Sequence, residues 1–339
     1  MWFKQITNHV LTDMVLTDRI FSISSAVEFE ETCLEIFAFQ AAHCSVYTEY
    51  LSLLGILPGT ITRVEDIPFL PIELFKNHHV TASIQEPQIV FSSSGTTGST
   101  QSKHYVVDVA IYEQSFREAF ERFYGYPENI AILALLPAYA EREGSSLIYM
   151  VDDLIRHSIH PLSGYFLYNH DELHHTLHGL KASGTKTILL GVTYALLDFV
   201  EHYEIDFPNL IVMETGGMKG KRREMIREQV HHLLCEGFHV NTIHSEYGMT
   251  ELLSQAYSQG KGFFHCPPWM KISIRDTNDP FTLLPAGRTG AINVIDLANV
   301  HSCSFIATQD LGKAYSDDSF EVLGRFDQSD IRGCNLLVQ

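Results

Sequence analysis

The chain is predicted to be an α/β protein with much parallel sheet, and three observations carry that prediction. Short, wholly apolar runs alternate with amphipathic stretches of helical spacing, and turn residues bound the runs. The third is size: 339 residues, 45% of them hydrophobic, suffice to bury the core such a fold requires.

Along the chain, Ala26–Leu54 has Val27, Leu34, Phe37, Ala41 and Cys44 at three- and four-residue spacings. That spacing predicts one helix, closed by Gly55. Asp66–Asn77 (DIPFLPIELFKN) holds two prolines and is expected to be an ordered connector. Gln88–Phe91 (QIVF) is a short apolar run that enters the loop Ser92–Lys103. Ile130–Leu136 (IAILALL), Lys186–Leu190 (KTILL) and Leu210–Glu214 (LIVME) are predicted buried strands. Tyr112–Phe123, Val192–His202 and Lys221–Leu234 are predicted helices around them. Ile272–Arg275, Ala291–Asp296 and Ser319–Leu323 are strand-like runs between turns, which predicts a smaller β-rich subregion.

Composition narrows the class. A formal charge of −18 opposes long-range attraction to nucleic acid and anionic membranes. An anionic nucleotide is still admissible, because a nest of backbone N–H groups outweighs a distant field. The six cysteines lie far apart with no CxxC pair, as reduced thiols of a cytoplasmic protein do. The N-terminal residues lack the apolar core of a signal peptide, and no run approaches the ~18 apolar residues of a spanning helix.

The most informative segment is Ser92-Ser93-Ser94-Gly95-Thr96-Thr97-Gly98-Ser99-Thr100, followed by Lys103 and His104. Glycines let successive N–H groups converge on one point, and hydroxyls add donors able to follow a phosphate chain. Lys103 or His104 would add cationic character. The loop is expected between a buried strand and a helix, where an open α/β sheet binds anions. It is not a Walker A loop, and no GxGxxG fingerprint occurs.

SSGTTG resembles the phosphate loop of the adenylate-forming superfamily of acyl-CoA synthetases, luciferases and peptide-synthetase adenylation domains. Other motifs follow in that superfamily's order across roughly residues 90–330. Thr215-Gly216-Gly217 resembles the Gly-Gly strand end beside the adenine. Tyr247-Gly248-Met249-Thr250-Glu251 resembles YGxTE; there the aromatic residue lies near adenine, the Thr contacts the α-phosphate and the Glu serves Mg²⁺. Thr308-Gln309-Asp310-Leu311-Gly312 resembles TGDxG, whose Asp binds ribose, and Gly324-Arg325-Phe326-Asp327 resembles GRxD, whose Arg reaches the nucleotide. Leu136-Pro137-Ala138-Tyr139 resembles an element near the acyl carboxylate, with Ala140 where many relatives have His.

The resemblance implies an adenylate-forming N-terminal domain, with mixed and parallel sheets flanked by helices. ATP and Mg²⁺ are the implied cofactors, bound by Ser93, Ser94, Gly95, Thr96, Thr97, Gly98, Lys103, Gly216, Gly217, Tyr247, Gly248, Thr250, Asp310 and Arg325, with Glu251 on the metal. Each residue taken singly has a plainer alternative: Tyr247 as a core aromatic, Asp310 as a turn former, Arg325 as a surface ion-pair partner.

Members of the superfamily carry a sizeable C-terminal lid after GRxD, and the chain ends at Gln339. The lid and its lysine are therefore expected to be absent, giving a catalytic domain over 1–325 and a short tail over 326–339. Short length, IPFLPIELFK, HSEYGMTELLSQ and the terminal DIRGCNLL resemble acyl-protein synthetases of the LuxE type. That resemblance implies activation of a fatty acid and its transfer to a cysteine matched by Cys334, ahead of an acceptor or reductase protein. The plainer alternative for Cys334 is a small buried hydrophobe. Two other functions stand beside this one: an acyl-CoA ligase resembling phenylacetate-CoA ligases, and a catalytically silent nucleotide- or acyl-binding module.

His174, His175 and His178 lack a HExxH or carboxylate companion and are expected on an exposed helix face. Arg222, Arg223 and Arg227 are likewise expected on a solvated helix face. No GxSxG nucleophile elbow is present.

Overall fold

The computed structural model describes residues 16–93, 100–136, 144–216, 222–223 and 225–325. The chain divides into two compact units, Pro87–Pro267 and a discontinuous one made of Met1–Glu86 with Pro268–Gln339. Strands are numbered along the chain.

The discontinuous unit is built on a five-stranded sheet. Its strands are β1 (Leu70–Pro71), β10 (Met270–Arg275), β11 (Gly290–Asp296), β12 (Phe305–Ala314) and β13 (Phe320–Arg325). β10, β11, β12 and β13 pair antiparallel, whereas β1 runs parallel to β12. Its two chain segments are joined through a fully buried Gln40. The Gln40 amide donates to Asn299 O at 2.9 Å, Val300 O at 3.0 Å and Ser304 Oγ at 3.0 Å, and accepts from Ser304 N at 2.9 Å. A buried amide satisfied on both ends specifies one packing. Phe37, Tyr47 and Phe305 join the same two segments by packing on one another with ring centroids about 6 Å apart.

The central unit begins with the antiparallel pair β2 (Ile89–Ser92) and β3 (Lys103–Val106). Its main sheet holds β4 (Ala131–Leu135), β5 (Gly164–Tyr165), β6 (Thr187–Gly191), β7 (Ile211–Glu214), β8 (His244–Tyr247) and β9 (Ala256–Ser258). They lie in the order β5-β4-β6-β7-β8-β9, parallel except for the β8–β9 pair. Every residue of β4 and β6 is buried, which is why their sequences are continuous apolar runs rather than alternating ones. The helices Ser146–Ser158, His170–Ser183, Thr193–Val200 and Arg227–Phe238 supply the connections. β5 lies on one side of β4 and β6 on the other, so the strand order reverses there. Crevices for ligands open at the carboxyl ends of strands around such a point.

The expected strands of the central sheet are present, shifted by a residue or so. The expected helix Ala26–Leu54 is instead two, Ala26–His43 and Ser45–Leu53, because Cys44 is extended (φ −88°, ψ 100°). The Thr48 hydroxyl accommodates the break by donating to Ala41 O at 2.7 Å and Cys44 O at 2.9 Å. The helix expected from Lys221 starts at Arg227. The TQDLG element lies inside the long strand β12 rather than in a turn.

Helix packing in the central unit generates a prediction with opposing signs. A Cβ on Gly237 would stand 2.4 Å from Val200 Cβ, a backbone-anchored atom, whereas one on Gly179 meets nothing within 4 Å. Both glycines are helical, so alanine gains about 1 kcal/mol of propensity at each. At Gly237 the overpacking cost of about 1–3 kcal/mol wins. Urea unfolding should show Gly237→Ala destabilised and Gly179→Ala stabilised by roughly 0.5–1 kcal/mol.

Candidate active site

The glycine-hydroxyl segment joins β2 to β3, so it is the connection of a hairpin and not a strand-to-helix turn. β2 is only partly buried, with Val90 exposed, because it belongs to a two-stranded sheet rather than to the central one. Ser93 N–H donates to Ser102 O at 3.0 Å, and Ser102 N–H donates back to Ser93 Oγ at 2.9 Å. Ser92 N–H donates to Gly144 O at 2.8 Å. Lys103 is exposed on the first position of β3, and alternation turns His104 to the opposite face, 1% exposed. Burial pushes the His104 ring down to about 4, so it is neutral and supplies no cationic character.

His104 instead reaches the YGxTE-like segment. Its Nδ1 lies 3.1 Å from the Thr250 carbonyl, which only accepts, so Nδ1 carries the proton. Past the segment, Ser115 Oγ and Ser254 Oγ are 3.0 Å apart, both fully buried. Tyr247 and Glu251 are buried and Thr250 is half-buried. A Cβ on Gly248 would stand 2.4 Å from Glu246 Oε1 and 3.3 Å from Gln255 Cγ, so a larger residue there would require the Glu246 side chain to move.

The carboxyl end of the neighbouring strand β7 is shaped by Glu214. Its Oε2 accepts from Gly216 N at 2.8 Å and Thr193 Oγ1 at 2.8 Å, and Thr215 N–H donates to Gly191 O at 3.1 Å. Gly216 takes φ +79°, which needs no Cβ. Burial alone would raise the Glu214 carboxyl, but His231, Ser245 and Thr193 around it hold it at about 2. Glu246 on β8 is the converse: burial, then the Glu214 charge, push its carboxyl up to about 8. Tyr257 stands opposite Glu246 in the β8–β9 register. The Tyr257 hydroxyl and Gln255 Oε1 are buried and find no hydrogen-bond partner among the described residues.

In the discontinuous unit, Asp310 and Arg325 oppose one another across β12 and β13, with Arg325 Nε 3.6 Å from Asp310 Oδ1. Thr308 Oγ1 accepts from Asp310 N at 3.1 Å and donates to Ile292 O at 2.9 Å. A buried Arg275 backs this strand, donating to Thr308 O at 2.5 Å, Ile292 O at 2.7 Å and Asn293 Oδ1 at 2.7 Å.

Ser93, Lys103, Gly216, Tyr247, Gly248, Thr250 and Glu251 all lie in the central unit, where His104 links the β2–β3 hairpin to Thr250, and the other unit pairs Asp310 with Arg325. Ser94, Gly95, Thr96, Thr97, Gly98, Gly217 and Cys334 lie outside the described residues, as do Pro137–Ala140 and Phe326-Asp327. His104 as a contact to Thr250, Glu214, Glu246 and Arg275 were missed as site-shaping groups. The available signal was a charged or polar residue inside an otherwise strand-like run. His174 and His178 share a solvent-facing side of their helix, Nε2 to Nε2 3.2 Å. Arg222 is not on a solvated helix face: it precedes the helix and pairs with Asp198 and Glu201.

No protein-family model matches the sequence, and no curated protein sequence matches it. Solved structures do. A 2-hydroxyisobutyryl-CoA ligase in an open conformation with 2-HIB-AMP and CoA superposes with TM-score 0.66 at 13% identity, over 90% of this chain and 77% of that one. The same ligase in its thioesterification state gives 0.68 at 14% identity, over 90% and 70%. The chain therefore shares the fold of that ligase over most of its length. ATP-bound MatB from Rhodopseudomonas palustris gives 0.52 at 17% identity, over 70% of this chain and 47% of that one. Among the described residues, no helix is long and apolar enough to cross a membrane and no three His, Cys, Asp or Glu side chains group as a metal site.

The titrating groups in this fold oppose one another. His104 and His244 are held neutral by burial at about 4, against 6.5 when unfolded, so unfolding takes up protons and stability falls as pH drops below 6.5. Glu214, held at about 2 against 4.5, contributes stability above pH 4.5 that is lost towards pH 2. Glu246 keeps its proton to about pH 8 against 4.5 unfolded, so stability also falls as pH rises from 4.5 to 8. Below pH 6.5 the two histidines outweigh Glu246; above it Glu246 acts alone. The unfolding free energy should peak near pH 6.5. Glu246→Gln should remove the alkaline decline and gain on the order of 1–3 kcal/mol at pH 8, read from urea midpoints.

Proposed function

We propose that the protein is an ATP-dependent adenylate-forming ligase that activates a carboxylic acid to an acyl-AMP. The observation that carries this reading is the meeting, within one unit, of the hairpin bearing the hydroxyl loop with Thr250, through His104. Five parallel strands, β5, β4, β6, β7 and β8, send their carboxyl ends to one edge of the sheet, and sheets of this kind bind ligands beside a strand-order reversal such as the one at β4. The fold shared with a ligase solved with its acyl-AMP and CoA points the same way.

In the reaction, a carboxylate oxygen of the acid bonds to the α-phosphorus of ATP, the bond from that phosphorus to the bridging oxygen breaks, and pyrophosphate leaves. Ser93, Ser94, Gly95, Thr96, Thr97, Gly98 and Lys103 are proposed to hold the phosphates, and Thr250 to donate to the α-phosphate as charge builds there. Gly216, Gly217, Tyr247 and Gly248 are proposed to form the adenine wall. The ribose role of Asp310 and Arg325, and a single catalytic domain over 1–325 with a tail over 326–339, rest on motif resemblance. A buried carboxylate suits Mg²⁺, which takes one or two carboxylates and completes its shell with phosphate oxygens and water. Glu251 is the residue that would hold it, and the ion would neutralise phosphate charge there.

For the second step we propose a LuxE-type transfer of a fatty acyl group. The Cys334 thiolate bonds to the acyl carbon, the carbon–oxygen bond to phosphate breaks, and AMP leaves. Delivery onward to a partner protein would follow. The ligase solved with CoA favours coenzyme A as the competing acceptor.

With an acid library, wild-type protein should catalyse ATP–pyrophosphate exchange; none with any acid would exclude the adenylation reading. Thr250→Ala and Glu251→Gln should each lower exchange by an amount equivalent to ~2–4 kcal/mol while melting like wild type. Cys334→Ser should keep exchange but lose a hydroxylamine-labile label from radioactive acid, since a serine hydroxyl is a far weaker nucleophile. Equal labelling of both proteins would remove Cys334 from the mechanism.

A further inference from the structure

We infer that His104 is a positioning residue for adenylation, its ring fixing the Thr250 main chain to the hairpin that carries the hydroxyl loop. The inference rests on the adenylation reading above, and deepens it by naming what holds two parts of that site in register.

The hairpin β2–β3 forms a two-stranded sheet of its own. Without a polar contact of fixed length, packing alone would set its place against the Thr250 segment. The His104 contact spans 146 residues of sequence at 3.1 Å. Both ends of the contact are specific. The ring lies on β3 immediately after Lys103, one strand position from the loop's exit, and is 1% exposed, so water does not compete for its donor. The acceptor is the carbonyl of the residue proposed to meet the α-phosphate, not a carbonyl of regular structure. A main-chain carbonyl accepts and cannot donate, so the bond selects the ring with its proton on Nδ1. The buried, neutral state of the ring agrees with this.

His104 touches no reacting atom in this scheme. Its effect is on where Thr250 stands, and small misplacements of a group that stabilises a transition state lower turnover more than ground-state binding. Ser115 and Ser254, joined at 3.0 Å, tie the chain just past Glu251, so the His104 contact acts on Thr250 itself.

Three substitutions separate this role from simple core filling. Asn places an amide N–H near the position of Nδ1; Gln carries its amide one bond too far; Leu fills space and donates nothing. In ATP–pyrophosphate exchange, His104→Asn should stay within about threefold of wild type. His104→Leu and His104→Gln should lose roughly tenfold or more in kcat, the loss of one hydrogen bond's worth of alignment, with KM for ATP changed by less than about threefold. If the Leu variant does not fold, the Asn–Gln comparison decides. Full turnover in His104→Gln or His104→Leu, or turnover in His104→Asn as low as in His104→Leu, overturns the inference. Long-range ¹H–¹⁵N spectra of the wild type at pH 7 give a readout independent of activity. A neutral ring protonated at Nδ1 is expected, and a ring protonated at Nε2 alone overturns the contact. Wild-type protein that exchanges pyrophosphate with no acid fails the adenylation reading and takes the kinetic role of His104 with it, whereas active wild type with unaffected variants fails His104 alone.

Discussion

Complete burial of β4 and β6 is the constraint from which the central unit follows. Strands with no solvated face need cover on both sides, and only helical crossovers between parallel strands provide it. Parallel strands then deliver their carboxyl ends, and the loops that follow, to one edge. Leu136, Val192, Thr215 and Gly248 all sit just beyond such ends. Motifs scattered over more than a hundred residues of sequence reach one edge of the sheet because of how the core is covered. No pairwise attraction among them is needed.

Electrostatics at that edge is set by burial and by which groups find partners. Glu214 stays ionised because donors surround it, Glu246 keeps its proton because burial and the neighbouring charge oppose ionisation, and His104 stays neutral because burial disfavours its charged form. A carboxylate whose oxygens accept from such donors braces a backbone turn, as Glu214 does for Gly216. The overall charge of −18 is thus no guide to the local field. The same chemistry recurs in the other unit, where Arg275 is buried yet spends its donors on Thr308 O, Ile292 O and Asn293. Buried charge in this chain holds main chain in place.

The sequence by itself determined the α/β class, because continuous runs such as Ala131–Leu135 and Thr187–Gly191 have few other fates, and their burial on both faces is a local property of composition. It also marked the hydroxyl loop and the Tyr247–Glu251 segment, whose residue types are chemically distinctive in any context. It misjudged what was non-local. Cys44 breaks a helix through a bond pattern that includes a hydroxyl four residues on, and periodicity does not register a single extended residue. The hydroxyl loop was assigned a helix on its far side, whereas Lys103–Val106 pairs back on Ile89–Ser92, a choice made by strand partners and not by propensity. Tertiary structure alone decided that His104 meets Thr250, that Glu214 and Glu246 differ in charge state, and that Gln40 joins segments some 260 residues apart. Each of those depends on which distant group excludes water from a polar atom and then satisfies it, and that information exists only once the chain has folded.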